Sequence, residues 1–398
     1  MHGADMADAL RVLLVHDVLG DLGGAEANVR HAAAGLVARG CAVALLHGKG
    51  TGVAEDRCRG LFGATFDWNT GRDAALAAAR AWGPQVVYVH KLANLEVLAS
   101  LVASGLPLVR MVHDHAMYCQ REYRYFPWNR QICTRRAGYA CALTCGVVRD
   151  REGLLPIKLA WPGRKLRELA LCRQFRRHIV VTRFMRDELL LHGFDGRRIS
   201  ILPPVPRPAR ADYTPTYREP LLLFVGQIIR GKGLDVLIGA LPRLRTPGWK
   251  LLVIGDGGHR ATCEREVKRL DLGAQVHFTG WVPQDDLMSH YTTARVGVVP
   301  SVWPEPIATI GLEFMQHALP VVAFDVGGMS DWLIDGDNGF LVKAWDLDGL
   351  AAAIDRLLGD QALAARMGAD GLAKGREQHV YERYLDDLRD LLAREATA

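Results

Sequence analysis

The chain is short of what a membrane span, a secreted scaffold or a disordered polymer needs. No apolar run approaches the roughly 18–20 residues that cross a bilayer. The opening stretch, MHGADMADALRVLLVHD, has no basic segment before its apolar residues. A secretory signal is therefore not expected, and the cytosol is the expected compartment. Neither sign of charge dominates: 49 Lys and Arg face 44 Asp and Glu, a net charge of +5. Eight cysteines in 398 residues are too few for a small disulfide scaffold. In the cytosol most of them are expected to be reduced thiols. Global disorder is excluded by a composition that is 49% hydrophobic and 23% charged. At roughly 100–200 residues per domain, the length implies two or three domains.

Short apolar runs alternate with helical patterns. Arg11–His16, Ala42–His47, Val86–His90, Leu108–His113 and Ile179–Thr182 read as buried strands. Ala25–Arg39, Arg72–Trp82, Leu92–Ser104 and Phe184–His192 read as helices. The rhythm then breaks at LPPVPRPARADYTPTYREP, where six prolines disfavour both helix and central strand. It restarts with strands expected at Leu221–Val225, Lys250–Ile254, Gln275–Thr279, Val296–Val299, Pro320–Phe324 and Phe340–Val342. A helical stretch over about 376–394 closes the pattern. The expected architecture is α/β, with two Rossmann-like, doubly wound domains facing across a cleft. The expected divisions are residues 1–205, a linker over 206–220, a second domain over 221–375 and a terminal helix over 376–398.

In such sheets ligands bind beyond the carboxyl ends of the strands, so the chemistry is sought in the loops there. Gly23 and Gly24 follow the first strand and open a helix, where main-chain N–H groups suit a phosphate. No G-x-G-x-x-G dinucleotide fingerprint accompanies them. His113-Asp114-His115 follows another strand, a polar triplet hard to explain as core. GQIIRGKG, residues 226–233, is a second glycine-rich loop, here with two cations, Arg230 and Lys232. The richest segment runs PSVWPEPIATIGLEFMQHALPVVAFDVGGMSDWLIDGDNG, residues 300–339. Glu305 sits between two prolines on a rigid loop, and a helix is expected to begin near Ile307 or Ala308, with Thr309 following. Glu313 lies eight residues on, which within one helix would place the two carboxylates about 80° apart. With Glu305 ahead of the helix they reach different parts of one ligand. Carboxylates beside a phosphate site make sense if they accept hydrogen bonds from sugar hydroxyls, which points to a nucleotide sugar.

This ordered set resembles the retaining glycosyltransferases of family 4, also called glycosyl transferases group 1. The resemblance covers almost the whole chain. It rests on the first glycine loop, the strand-end histidine, the G-x6-G loop with its lysine, Glu305 and Glu313, and the trailing DVGG and DGDNGFLV. It implies the GT-B fold and transfer of a sugar from a UDP- or GDP-type donor to a hydroxyl, with anomeric retention and no catalytic metal or other cofactor. By the same resemblance Lys232 contacts the donor diphosphate, Glu313 the ribose and Glu305 the donor sugar. His113 lies beside the reacting centre, and Gly23 and Gly24 close on the phosphates. The terminal helix is implied to pack back on the first domain. Gln227, Arg230, Ile307, Ala308 and Thr309 complete the implied donor-binding set. The chain departs from the family at Gln227, where an arginine is usual, and at Ala308, where a glycine is common. Arg230 is the candidate to replace that arginine, and the bulk at 307–308 is expected to narrow the donor-sugar pocket.

Cys119, Cys133, Cys141 and Cys145 fall in an arginine-rich insert over about 115–150. Four thiols make a structural zinc site one expectation. Their C-x13-C-x7-C-x3-C spacing leaves reduced structural thiols and disulfides open. Between Arg149 and Arg186, eleven Lys/Arg outnumber three Asp/Glu, a local excess of +8 with Trp161 and Phe175 interleaved. A solvated basic face is one reading. An anionic membrane surface on the inner face, or a lipid-linked or sugar acceptor, is the other. No nucleic-acid motif accompanies the charge. A nucleotide-sugar epimerase of the same fold and a catalytically impaired nucleotide-sugar binder also remain open. A nicotinamide oxidoreductase is weaker, because Gly255-Asp256-Gly257-Gly258 is followed by Arg260 where the third glycine belongs.

Overall fold

Strands buried on both faces read as continuous apolar runs, and the central strands of both sheets are of that kind. The computed structural model describes residues 9–20, 24–149, 157–159, 161–206, 219–283 and 286–397. Most of the proline-rich linker and part of the basic stretch lie outside the described residues, as does Gly23.

The chain divides into two units. Unit 1 comprises residues 1–122, 135–204 and 382–398; unit 2 comprises 123–134 and 205–381. Unit 1 is built on β1 (Arg11–Leu19), β2 (Ala42–Gly50), β3 (Ala64–Asp67), β4 (Val86–Val89) and β5 (Leu108–Val112). A short antiparallel pair follows, β6 (Val147–Arg149) with β7 (Ile157–Leu159). β8 (Arg177–Val180) and β9 (Ile199–Ile201) then complete the main sheet. Its order is β3-β2-β1-β4-β5-β8-β9, all parallel. Val12 to Val15, Ala44 to Leu46 and Val86 to Val89 are essentially without exposure.

Unit 2 carries β10 (Leu221–Val225), β11 (Lys250–Ile254), β12 (Val276–Gly280), β13 (Val296–Val299), β14 (Val321–Phe324) and β15 (Gly339–Val342). Their order, β12-β11-β10-β13-β14-β15, is again all parallel. The order reverses beside the first strand of the unit, the place where a doubly wound sheet opens its ligand crevice. Helices connect the strands in both units, as parallel pairing requires.

Three expectations are corrected. The terminal helical stretch is not one helix: Gln361–Gln378 and Tyr381–Thr397 are separate, broken at His379 and Val380. The cysteine insert does not belong wholly to the first unit, because its middle, 123–134, is part of unit 2. The helix after Glu305 begins at Thr309, not at Ile307 or Ala308.

Within unit 1 the last helix lies against the helix Gly24–Ala38. Gly35 permits this, since a Cβ there would sit 2.4 Å from Leu385 Cδ2. Tyr384, Leu385, Leu388 and Leu392 are buried along it. Arg39 binds Glu382 at 2.8 Å and Asp386 at 2.7 Å, and Arg177 binds Glu395 at 2.7 Å.

Candidate active site

In unit 2 glycines let three loops lie backbone against backbone. Gly255 stands at φ +132°, and a Cβ there would be 2.0 Å from the Gly226 carbonyl oxygen. The Ile228 N–H donates to the Asp256 carbonyl at 2.8 Å and the His259 N–H to the Ile228 carbonyl at 2.9 Å. The loop after β10 is thereby sewn to the loop after β11. On its other side the Val302 N–H donates to the Gly231 carbonyl at 2.9 Å, tying it to the loop after β13.

That stitching brings two of the expected residues into contact. Lys232 Nζ donates to Glu305 Oε1 at 2.7 Å and lies 5.3 Å from the centre of the Trp303 ring. Ser301 Oγ donates to the same Oε1. Glu305 is 2% exposed, while its partner Lys232 is 25% exposed. Among the described residues no hydrogen-bond partner is assigned to Glu305 Oε2. An ammonium has three donors, so one bond to Glu305 leaves two for an anion.

The DVGG motif closes over Glu305. Gly327 stands at φ +61°, and a Cβ there would meet the Glu305 carbonyl oxygen at 2.2 Å and its nitrogen at 2.5 Å. The Gly328 N–H donates to the Glu305 carbonyl at 2.7 Å. Gly327→Ala is expected to destabilise unit 2 by roughly 3 kcal/mol, the sum of left-handed strain and a clash that backbone cannot yield to. Chemical unfolding of wild type and variant checks it.

The helix Thr309–Gln316 has no side-chain cap, and its preceding residue, Ala308, is left-handed at φ 53°. Ile307 and Ala308 are both 6% exposed. The backbone conformation explains why glycine suits position 308. Ala308→Gly relieves about 1–2 kcal/mol of left-handed strain, offset by about 0.4–1 kcal/mol of added freedom in the unfolded chain. A small net gain of roughly 1–3 °C in Tm is expected, read by thermal unfolding. Thr309 is exposed at the helix start.

Glu313, on that helix, has a partner that sequence reading missed. Tyr291, 2% exposed, donates its hydroxyl to Glu313 Oε2 at 2.8 Å. Burial, with the Glu313 charge beside it, holds the Tyr291 phenol well above its ordinary value, so it remains a donor. Only the apolar-periodic placement of Tyr291 in the helix Leu287–Thr293 hinted at burial, not at this contact. Gly311 serves packing: a Cβ there would be 2.0 Å from the Trp332 ring. In the DGDNGFLV motif, buried Asn338 accepts from the Ile334 N–H at 2.7 Å and donates to the Trp332 carbonyl at 3.0 Å. The motif shapes the turn into β15.

Gln227 and Arg230 are exposed on the glycine loop. Among the described residues no hydrogen bond links Arg230 to the Lys232 or Glu305 side chain; its Nη1 donates to the Pro127 carbonyl at 3.1 Å. Arg130, from the 123–134 segment, donates to the Arg230 carbonyl at 3.1 Å and to both oxygens of Asp235. Burial pushes the Asp235 carboxyl up, but Arg130 and His259 outweigh it and hold it below the usual carboxylate range.

Unit 1 holds the remaining candidates. His113 follows β5, and its Nε2 lies 2.9 Å from Nδ1 of His90, which follows β4. His16, within β1, has its ring centre 6.4 Å from that of His90. Burial pushes His113 down to about 3, so its ring is neutral near pH 7. His16 and His90 are lowered as well, in both cases chiefly by burial. The other members of the triplet do different work. Asp114 pairs with Lys91 at 2.8 Å and caps the Ala116 N–H, while buried His115 meets the Tyr118 hydroxyl at 2.7 Å. Gly24 is the first residue of its helix.

Cys119, Cys133, Cys141 and Cys145 are each of intermediate exposure. Among the described residues no three His, Cys, Asp or Glu side chains gather as a metal site. Arg124 instead donates to Cys133 Sγ at 3.6 Å.

Two parallel, doubly wound sheets with glycine loops at their strand ends define the class: a two-domain α/β protein of the GT-B fold. The profile described as Glycosyl transferases group 1 matches residues 208–373, and that of Glycosyltransferase Family 4 matches residues 22–205. The chain belongs to the family 4, group 1 glycosyltransferases. It is 34% identical over 167 residues to an uncharacterized glycosyltransferase of Methanocaldococcus jannaschii, covering 42% of this chain and 41% of that one. It is 32% identical over 161 residues to a GDP-mannose-dependent alpha-(1-6)-phosphatidylinositol monomannoside mannosyltransferase of Mycolicibacterium smegmatis, covering 38% and 42%. The match thus spans about two fifths of the length of these curated relatives. Among solved structures, Anabaena HepE in complex with UDP and glucose superposes with a TM-score of 0.71 at 16% identity, covering 96% of this chain and 99% of that one.

Proposed function

We propose that the chain transfers a glycosyl group from a nucleoside-diphosphate sugar to a hydroxyl acceptor, with anomeric retention and without a catalytic metal. The observation that carries this reading is Glu305. It is a buried carboxylate with one oxygen saturated by Lys232 and Ser301, while among the described residues no partner is assigned to the other. That second oxygen can accept a hydrogen bond from a hydroxyl, and a donor sugar supplies one. Lys232 and Arg230 meet the diphosphate, and the helix Thr309–Gln316 adds its N-terminal N–H groups. Glu313, its second oxygen held by Tyr291, takes the ribose hydroxyls. As the bond to the leaving phosphate lengthens, negative charge grows on that phosphate, and these fixed cations and dipoles stabilise it. His113, in unit 1, offers a neutral imidazole just beyond β5, 2.9 Å from His90.

Both donor bases stay within the proposal, since one relative is named as GDP-mannose-dependent and HepE was solved with UDP. The acceptor belongs to glycan, lipopolysaccharide, exopolysaccharide or glycolipid synthesis. A peripheral membrane position is supported by the exposed Tyr139–Trp161 ring pair and by Leu143, 91% exposed, in a chain stretch rich in arginine. No helix among the described residues is long and apolar enough to cross a membrane.

The test is thermal stability with UDP, GDP and ADP in the presence of EDTA, followed by NMR of the product's anomeric proton with the matching donor. Ligand at a hundred times its Kd is expected to stabilise by about 2.7 kcal/mol. No shift with any diphosphate sinks the reading. A structural zinc at the four cysteines remains a separate proposal; metal analysis of protein purified without chelator decides it, and absence of zinc removes it.

A further inference from the structure

The glycine loop offers two cations to an anionic ligand, and they are not equivalent. Lys232 has its charge met by Glu305 at 2.7 Å. Among the described residues no carboxylate pairs with Arg230, whose Nη1 donates instead to a neutral carbonyl, that of Pro127. Its positive charge is therefore the one left unmatched in the loop.

Arg230 is held at both ends by the segment 123–134. Pro127 takes its guanidinium, and Arg130 donates to its carbonyl at 3.1 Å. Arg130 is itself fixed. Its two terminal nitrogens grip Asp235 at 3.1 and 2.5 Å, and the Trp345 ring lies 5.4 Å from its Cζ. His259 Nε2 stands 3.5 Å from the same carboxylate. Arg130 also adopts φ 56°, a left-handed backbone that persists only where the surroundings over-determine it. Tyr125 of the same segment packs so close to Gly231 that a Cβ there would meet its ring at 3.3 Å. A fork of two parallel bonds to Asp235 leaves Arg130 little freedom to do anything but hold the loop.

We propose that Arg130, locked by Asp235, is a positioning residue that holds Arg230 as the unmatched cation of the donor diphosphate site, so that the segment 123–134 forms one wall of that site. This rests on the donor reading above. In this chain it gives Arg230 the charge that Gln227 cannot supply.

The experiment is calorimetric binding of UDP and GDP, each compared with its nucleoside, to wild type, Arg130→Ala, Asp235→Asn, Arg230→Ala and the Arg130→Ala/Arg230→Ala double variant. Arg130→Ala and Arg230→Ala are each expected to weaken diphosphate binding tenfold or more and to leave nucleoside binding unchanged. The double variant is expected to bind no more weakly than Arg230→Ala alone, because the two act through one group. A folded Arg130→Ala variant with wild-type diphosphate affinity overturns the inference, and so do fully additive losses. If Arg130→Ala does not fold, Asp235→Asn, which keeps the shape and removes the charge, decides it by the same reading. Wild-type protein that binds neither diphosphate overturns the donor reading, and this inference with it.

Discussion

Lys232→Ala is expected to lower turnover at least about a hundredfold, the scale of losing one preorganised electrostatic group at a developing charge. The same substitution strips Glu305 of its cation. A fully buried pair broken on one side costs about 3–5 kcal/mol. Water reaches this pair through Lys232, 25% exposed, so a cost nearer about 1–2 kcal/mol is expected. Stability and activity are separable by a second change. Lys232→Ala/Glu305→Gln removes the unpaired charge and should recover most of the melting temperature, while turnover stays low. Turnover close to wild type in the single variant would remove Lys232 from the chemistry.

The second large effect is at Glu313. Glu313→Ala is expected to reduce turnover at least about a hundredfold, with KM for the donor rising, because both the carboxylate and the anchor it offers a ribose disappear. Tyr291→Phe separates position from charge. It keeps the carboxylate and removes one hydrogen bond to a charged group, worth about 1.5–3 kcal/mol. A loss of roughly tenfold, seen mainly in KM, is the expected result. Equal losses in the two variants would mean that Glu313 works only through Tyr291. Initial rates over a range of donor concentrations distinguish the cases.

What was legible in the residues follows physical lines. β10, β11 and β13 were readable to the residue, because strands buried on both faces show as unbroken apolar runs bounded by polar or proline positions. β3 and β9 were not. ATFD is half-buried throughout and lies at a sheet edge, and ISI is three residues long at the other edge. Neither gives a period or a run. The break between the last two helices escaped because His379-Val380 carries no glycine or proline. In the candidate site Lys232, Glu305 and Glu313 were visible because each lies in a loop that follows a strand or in the helix that such a loop opens. Tyr291 and the Arg130–Asp235 grip were not, because each depends on residues 22 or 105 positions apart meeting in space.

The helix Tyr381–Thr397 belongs to the unit whose strands are made first. On a ribosome, β9 of that unit emerges long before its closing helix. At about 5–20 residues per second the wait is roughly 10–40 s. Throughout it, the face around Gly35 that Leu385 will cover stands open. Unit 1 therefore completes itself only after the sheet of unit 2 has been made. Nascent chains stalled before Tyr381 should carry that uncovered face, and they are where chaperone capture and aggregation would concentrate.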